Sequence, residues 1–171
     1  MYFADHRKKS IWIVNYKVAS QSLTAAFARH LWRCENPEEF TAYTWLMFTR
    51  HPFDRLRSWW TAETPAKEEG RSFASYVDEL LAGGFPNDPH LQPQCARTRI
   101  KFPDILLPYE TLELSYVIAR GHISWPNVLE HRNASPVSIT WQDLFERELT
   151  PAQVDGLRRF YAEDFQRLGY E

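Results

Sequence analysis

A chain of 171 residues with 44% hydrophobic and 25% charged residues has the size and balance of one soluble globular domain. Its formal net charge of −2 excludes a global basic field of the kind that gathers nucleic acid, so any anion site has to be local. No stretch approaches the ~20 apolar residues of a membrane span, and MYFADHRKKS lacks the apolar centre of a secretory leader. Two cysteines, Cys34 and Cys95, make neither a disulfide scaffold nor a metal-ligand spacing. The expectation is a soluble cytoplasmic protein with no membrane and no nucleic-acid partner.

Ile11–Tyr16 is short, apolar and β-rich, which predicts a buried strand. Leu23, Ala26, Phe27, His30, Leu31 and Cys34 then fall at helical spacing, with Ser20 or Ser22 as the cap. Tyr43–Thr49 predicts a second strand ending at Arg50, and Pro52 suits the first position of the following helix. Ser72–Leu81 predicts another helix, stopped by Gly83–Gly84. Residues 85–103 are Pro-rich and read as loop. Ile105–Leu107 is a third strand candidate, and Leu112–Ala119 a helix ending at Gly121, before an irregular stretch over 121–138. Near the end, TPAQ places Thr150 as cap, Pro151 at the first helical position and Gln153 at the capping-box position. Val154, Leu157, Tyr161, Phe165 and Leu168 mark one apolar stripe, closed by Gly169. Strands alternating with helices imply a single three-layer α/β domain over residues 1–171, with a central, mostly parallel sheet flanked by helices.

The first strand turn carries the first chemical signal. NYKVASQSL runs from a strand into a helix, where unpaired backbone N–H groups favour an anion. Ser20 and Ser22 add hydroxyls, and Lys17 adds a full charge. The first glycine of the chain is Gly70, so neither a Walker A loop nor a dinucleotide fingerprint can form at this turn. Alone, the segment also reads as a capped helix beside a surface lysine. The second signal is FTRHPFDRLRSWW, which sets Arg50 at a strand end and Ser58 about two helical turns beyond it. An arginine there can fork two oxygens of one phosphate, or simply pair with Asp54.

Taken together, KVASQS (Lys17–Ser22) and RHPFDRLRS (Arg50–Ser58) resemble the nucleotide-binding elements of the sulfotransferases, most closely the carbohydrate branch. There a P-K-[VT]-[AG]-x-[ST] turn grips a 5′-phosphosulfate, and an R-H-P-F-[ED]-R-L-x-S segment grips a 3′-phosphate. HLQPQ (His90–Gln94), FPDILLPYETL (Phe102–Leu112), HRNAS (His131–Ser135) and YAEDFQRLGY (Tyr161–Tyr170) echo later family motifs in the same order.

The resemblance implies a P-loop-like fold and 3′-phosphoadenosine 5′-phosphosulfate (PAPS) as sulfuryl donor, with no metal. It implies donor binding by Lys17, Val18, Ala19, Ser20, Gln21, Ser22 and Leu23, then Arg50 and Ser58, with His131, Arg132 and Asn133 of HRNAS as further candidates. Phe53, Trp59 and Trp60 are available to stack on adenine. Lys17 is implied at the leaving oxygen and His90 as the base on an acceptor hydroxyl, carbohydrate or small molecule. Glu38, Glu39 and His30 are alternative bases. Two departures stand out: Tyr16 replaces the proline usual before the loop lysine, and Leu91 replaces the tryptophan of H-W-x-P-Q. A nucleotide kinase would need a Gly-rich loop and Mg²⁺ ligands. A non-enzymatic nucleotide-binding module of the same fold is the other alternative.

Overall fold

The computed structural model describes residues 1–27, 31–63, 70–124 and 139–171. Its strands are β1 (Tyr2–Asp5), β2 (Ser10–Ile13), β3 (Trp32–Cys34), β4 (Thr44–Thr49) and β5 (Ile105–Pro108). Its helices are α1 (Ser20–Phe27), α2 (Pro52–Glu63), α3 (Phe73–Leu81), α4 (Leu112–His122), α5 (Trp141–Glu148), α6 (Pro151–Phe160) and α7 (Ala162–Leu168). The chain divides into two compact units: Met1–Arg50 with Gln94–Ala134, and His51–Pro93 with Ser135–Glu171.

The first unit holds a five-stranded sheet in the order β3-β1-β2-β4-β5. β2 pairs parallel with β4, and β4 with β5. β1 is antiparallel to both β2 and β3, so the sheet is mixed rather than mostly parallel. The cause lies in the basic N-terminal cluster, which closes a hairpin. Asp5 Oδ1 accepts the N–H groups of Arg7 and Lys8, each at 3.0 Å, and Lys9 turns the chain at φ 50°. An aspartate that bonds the backbone two and three residues on makes a turn from a stretch of charged residues. Burial pushes the Asp5 carboxyl up, but N–H donors from Ser124, Lys8 and Arg7 outweigh it and hold the group below its ordinary value.

β2 and β4 are continuous apolar runs. Ile11, Trp12, Ile13, Trp45, Leu46, Met47 and Phe48 are all fully buried, as expected for strands covered on both faces. Trp12, Leu46, Phe48 and Leu107 pack with Leu23 of α1 and with Tyr116 and Ala119 of α4. The helical spacing that runs on to Cys34 is misleading, because Trp32–Cys34 is a strand on β1; His30 lies outside the described residues. α4 continues through Gly121 to His122, past the end that glycine suggests.

The second unit is helical. Phe53, Leu56, Phe73, Val77, Leu80, Leu91, Leu144, Phe145, Leu157 and Tyr161 form its core. Thr150 and Gln153 form the complete capping box that TPAQ predicts. The apolar stripe from Val154 to Leu168 is divided at Tyr161, where α6 gives way to α7, and Gly169 ends α7 at φ 76°. Gly156 faces Leu81: a Cβ there would come within 2.6 Å of a leucine methyl, so glycine permits the close approach of α6 to α3. α5 has no sequence forecast, since its apolar residues amount to Trp141, Leu144 and Phe145 among charges.

Cys34 and Cys95 are both free thiols. Among the described residues, no helix is long and apolar enough to cross a membrane, and no group of His, Cys, Asp or Glu could hold a metal ion.

Candidate functional site

The parallel strands set three side chains at one edge of the first unit. Asn15 follows β2, Arg50 follows β4 and Tyr109 follows β5. The outer ends of parallel strands are where open α/β sheets bind ligands.

Between β2 and α1 the chain does without glycine what phosphate loops commonly do with it. Lys17 and Ala19 both adopt left-handed backbone, at φ 62° and 58°. Such a conformation costs a non-glycine residue about 1–3 kcal/mol, and such strain gathers at functional sites. The flanking anchors hold it. Val18 and Leu23 are fully buried, and the Leu23 N–H donates to the Ala19 carbonyl at 2.9 Å. Their side chains are therefore core, and any ligand contact at these two positions is through backbone. Ser22 is buried and Ser20 half-buried in the first turn of α1; the Gln21 backbone belongs to the same turn.

Arg50 is tied to this loop directly. Its guanidinium donates to the Lys17 carbonyl at 2.9 Å and lies 4.2 Å above the Tyr109 ring. Its backbone is clamped by Gln94, a fully buried side chain. Gln94 Oε1 accepts the Arg50 N–H at 3.1 Å, while Nε2 donates to the Arg50 carbonyl at 2.7 Å. Asn15 Nδ2 donates to the same Gln94 oxygen at 2.6 Å and to the Phe48 carbonyl at 3.2 Å. One amide thus fixes the ends of β2 and β4 relative to each other. Gln94→Ala removes three hydrogen bonds from buried groups and is expected to destabilise the protein by about 2–5 kcal/mol. That corresponds to a loss of roughly 5–15 °C in Tm, read by calorimetry. A shift under 2 °C would show that the clamp carries no weight.

Ser58 and His90 belong to the second unit. Ser58 is buried on α2, and Asp54, one turn earlier, pairs with Arg57 at 2.9 Å. His51 is structural: its ring stacks on Trp141 at 4.6 Å and its Nε2 lies 3.2 Å from the Glu171 carbonyl. Phe53 is fully buried in the core, and Trp60 packs on Phe73 and Tyr76.

His90 stands in the loop after α3. Its Nδ1 lies 3.0 Å from Asp88 Oδ1, and its imidazole is stacked on Trp59 at 3.7 Å and 3°. The loop itself is clasped by buried groups. Arg55 donates to the His90 carbonyl at 2.6 Å and the Gln92 carbonyl at 2.5 Å, and Tyr161 Oη donates to the Leu91 carbonyl at 2.9 Å. Burial pushes the Tyr161 phenol up, so it stays a donor. Leu91, which stands where a tryptophan was expected, is a fully buried core residue.

The alternative bases Glu38 and Glu39 are exposed on a short 3-10 turn, Pro37–Phe40. Glu39 lines a surface cleft with Trp32, Cys34 and Phe40 on the β3 side of the sheet, two strands from β2. Arg132, Asn133 and His131 lie outside the described residues. Sequence reasoning missed the roles of Asn15, Gln94, Tyr109 and Asp88. Gln94 and Tyr109 do lie within the HLQPQ and PYETL strings, but a string does not tell a clamp from a ligand.

No curated protein and no solved structure gives a significant match to the chain. The model of the sulfotransferase family matches residues 2–171. That match takes in both units and every motif described above, and the chain belongs to the sulfotransferase family.

Proposed function

We propose that the chain is a PAPS-dependent O-sulfotransferase: one sulfotransferase domain of P-loop-like, three-layer type that moves a sulfuryl group to a hydroxyl of a carbohydrate or small metabolite. The observation that supports it most is the strained, glycine-free turn at Lys17–Ala19, tied to Arg50. The residues suit the donor. Lys17 and Arg50 supply cationic charge, and the first turn of α1 supplies backbone N–H groups and the Ser20 and Ser22 hydroxyls.

In this reading PAPS supplies the sulfuryl group, and the protein positions and neutralises. Backbone from Val18 to Leu23, with Gln21 among them, holds the 5′-phosphate. Arg50 and Ser58 hold the 3′-phosphate, with Arg132 and Asn133 completing the set. His90 Nε2 takes the proton of the acceptor hydroxyl while its oxygen bonds to sulfur. The bond from sulfur to the phosphate oxygen breaks, and its electron pair stays on that oxygen beside Lys17. Such transfers depend mainly on positioning and charge stabilisation. No metal takes part. A cytoplasmic setting fits a free donor of this kind.

Donor choice is testable first. Adenosine 3′,5′-bisphosphate is expected to raise Tm much more than AMP, since each charge-assisted hydrogen bond to the 3′-phosphate contributes about 1.5–3 kcal/mol. That corresponds to roughly tenfold or more in affinity. Equal shifts with the two nucleotides would remove Arg50 and Ser58 from the 3′-phosphate.

A further inference from the structure

We infer that Asp88 is a positioning residue for the acceptor step: its carboxylate fixes the imidazole of His90, and the indole of Trp59 that backs it, so that Nε2 is the basic nitrogen offered to the acceptor hydroxyl. The inference rests on the sulfotransferase reading, and on His90 as its base.

Three donors converge on this one carboxylate. Oδ1 accepts the His90 backbone N–H at 2.8 Å and faces His90 Nδ1 at 3.0 Å. Oδ2 accepts Trp59 Nε1–H at 3.1 Å. A carboxylate has only lone pairs to offer, so Nδ1 carries the proton in the neutral ring and Nε2 carries the lone pair. The two rings are held parallel at 3.7 Å, which sets the plane as well as the tautomer. Backbone bonds from Leu91 and Gln92 to the Asp88 carbonyl close the turn that carries all three groups. After Nε2 takes the acceptor proton, the imidazolium has the Asp88 charge beside Nδ1 and the indole face beneath it.

Other ionisable groups near the loop make other contacts or stay neutral. Arg55 is spent on the His90 and Gln92 carbonyls. Burial, with the Asp88 charge adding to it, pushes the Tyr76 phenol up and keeps it neutral. Tyr161 is likewise neutral, and Arg71 lies over the Tyr76 ring at 5.0 Å.

Asp88→Asn keeps an oxygen for His90 and removes the charge. It is expected to lower kcat by roughly 10²-fold or more, with bisphosphate binding unchanged. The rising limb of its pH–rate profile should move to lower pH, because an imidazole without its anion is less basic. A purely structural aspartate would not move that limb. Turnover within twofold of wild type and an unmoved limb would overturn the inference. Asp88 also shapes the loop, so the wild-type tautomer is the second test. ¹⁵N NMR should show His90 protonated at Nδ1 when neutral, and protonation at Nε2 would overturn the inference whether or not the variant folds. His90→Ala separates the two levels: if it keeps its turnover, the base assignment fails, whereas if it loses turnover and Asp88→Asn does not, only the role of Asp88 fails.

Discussion

Lys17→Ala is expected to lower turnover by about 10²–10³-fold while weakening binding of adenosine 3′,5′-bisphosphate far less. The left-handed turn is held by buried Val18 and Leu23 and by the Arg50 bond to the Lys17 carbonyl, all of which survive the substitution. On the proposed reading, the bound nucleotide keeps its backbone donors and Arg50. What disappears, on that reading, is the ammonium charge at the oxygen that becomes anionic as the bond to sulfur breaks. An interaction that strengthens along the reaction lowers kcat when removed, rather than raising KM. Lys17→Arg should recover little, because a planar fork cannot replace a compact, mobile ammonium. Single-turnover kinetics with saturating donor reads the effect directly. A Lys17→Ala protein with most of its turnover would reduce Lys17 to a surface residue.

His90→Ala is the second large effect, with an expected loss of roughly 10²–10⁴-fold in turnover and intact bisphosphate binding. The wild-type profile should rise with pH as the imidazole loses its proton and becomes able to accept one. That limb should be absent from the variant. If His90 merely contacts the acceptor, KM rises and the limb stays. Folding should survive the change, because the loop is also anchored through backbone by Arg55 and Tyr161. If neither constant moves, the base lies elsewhere, and Glu38 is the next residue to replace.

The elements that could be read from the chain are those with local signals. The Thr150 box, the helix that runs to Leu81 and the buried runs of β2 and β4 all follow from neighbouring residues. β1 was hidden because the turn that joins it to β2 sits in a basic cluster, and β3 because its partner β1 is distant in sequence. The turn between β2 and α1 was legible as an anion-binding pattern of residues, but its backbone was not. Left-handed Lys17 and Ala19 contradict the local preference of both residues, and only the surrounding core imposes them. The Gln94 clamp was illegible for a similar reason: glutamine has no local signature when its partners are Asn15 and Arg50, 79 and 44 positions away. His90 was visible as a motif residue, whereas its carboxylate and its indole wall depend on how Asp88 and α2 meet in three dimensions.

The most direct test is transfer itself. The purified chain is incubated with PAPS labelled in the sulfuryl group and a panel of hydroxyl acceptors: mono- and oligosaccharides, phenols and small alcohols. The account predicts label on at least one hydroxyl acceptor, matched one for one by adenosine 3′,5′-bisphosphate, and abolished by Lys17→Ala. Tight bisphosphate binding with no label on any acceptor would contradict it and leave a nucleotide-binding module without catalysis.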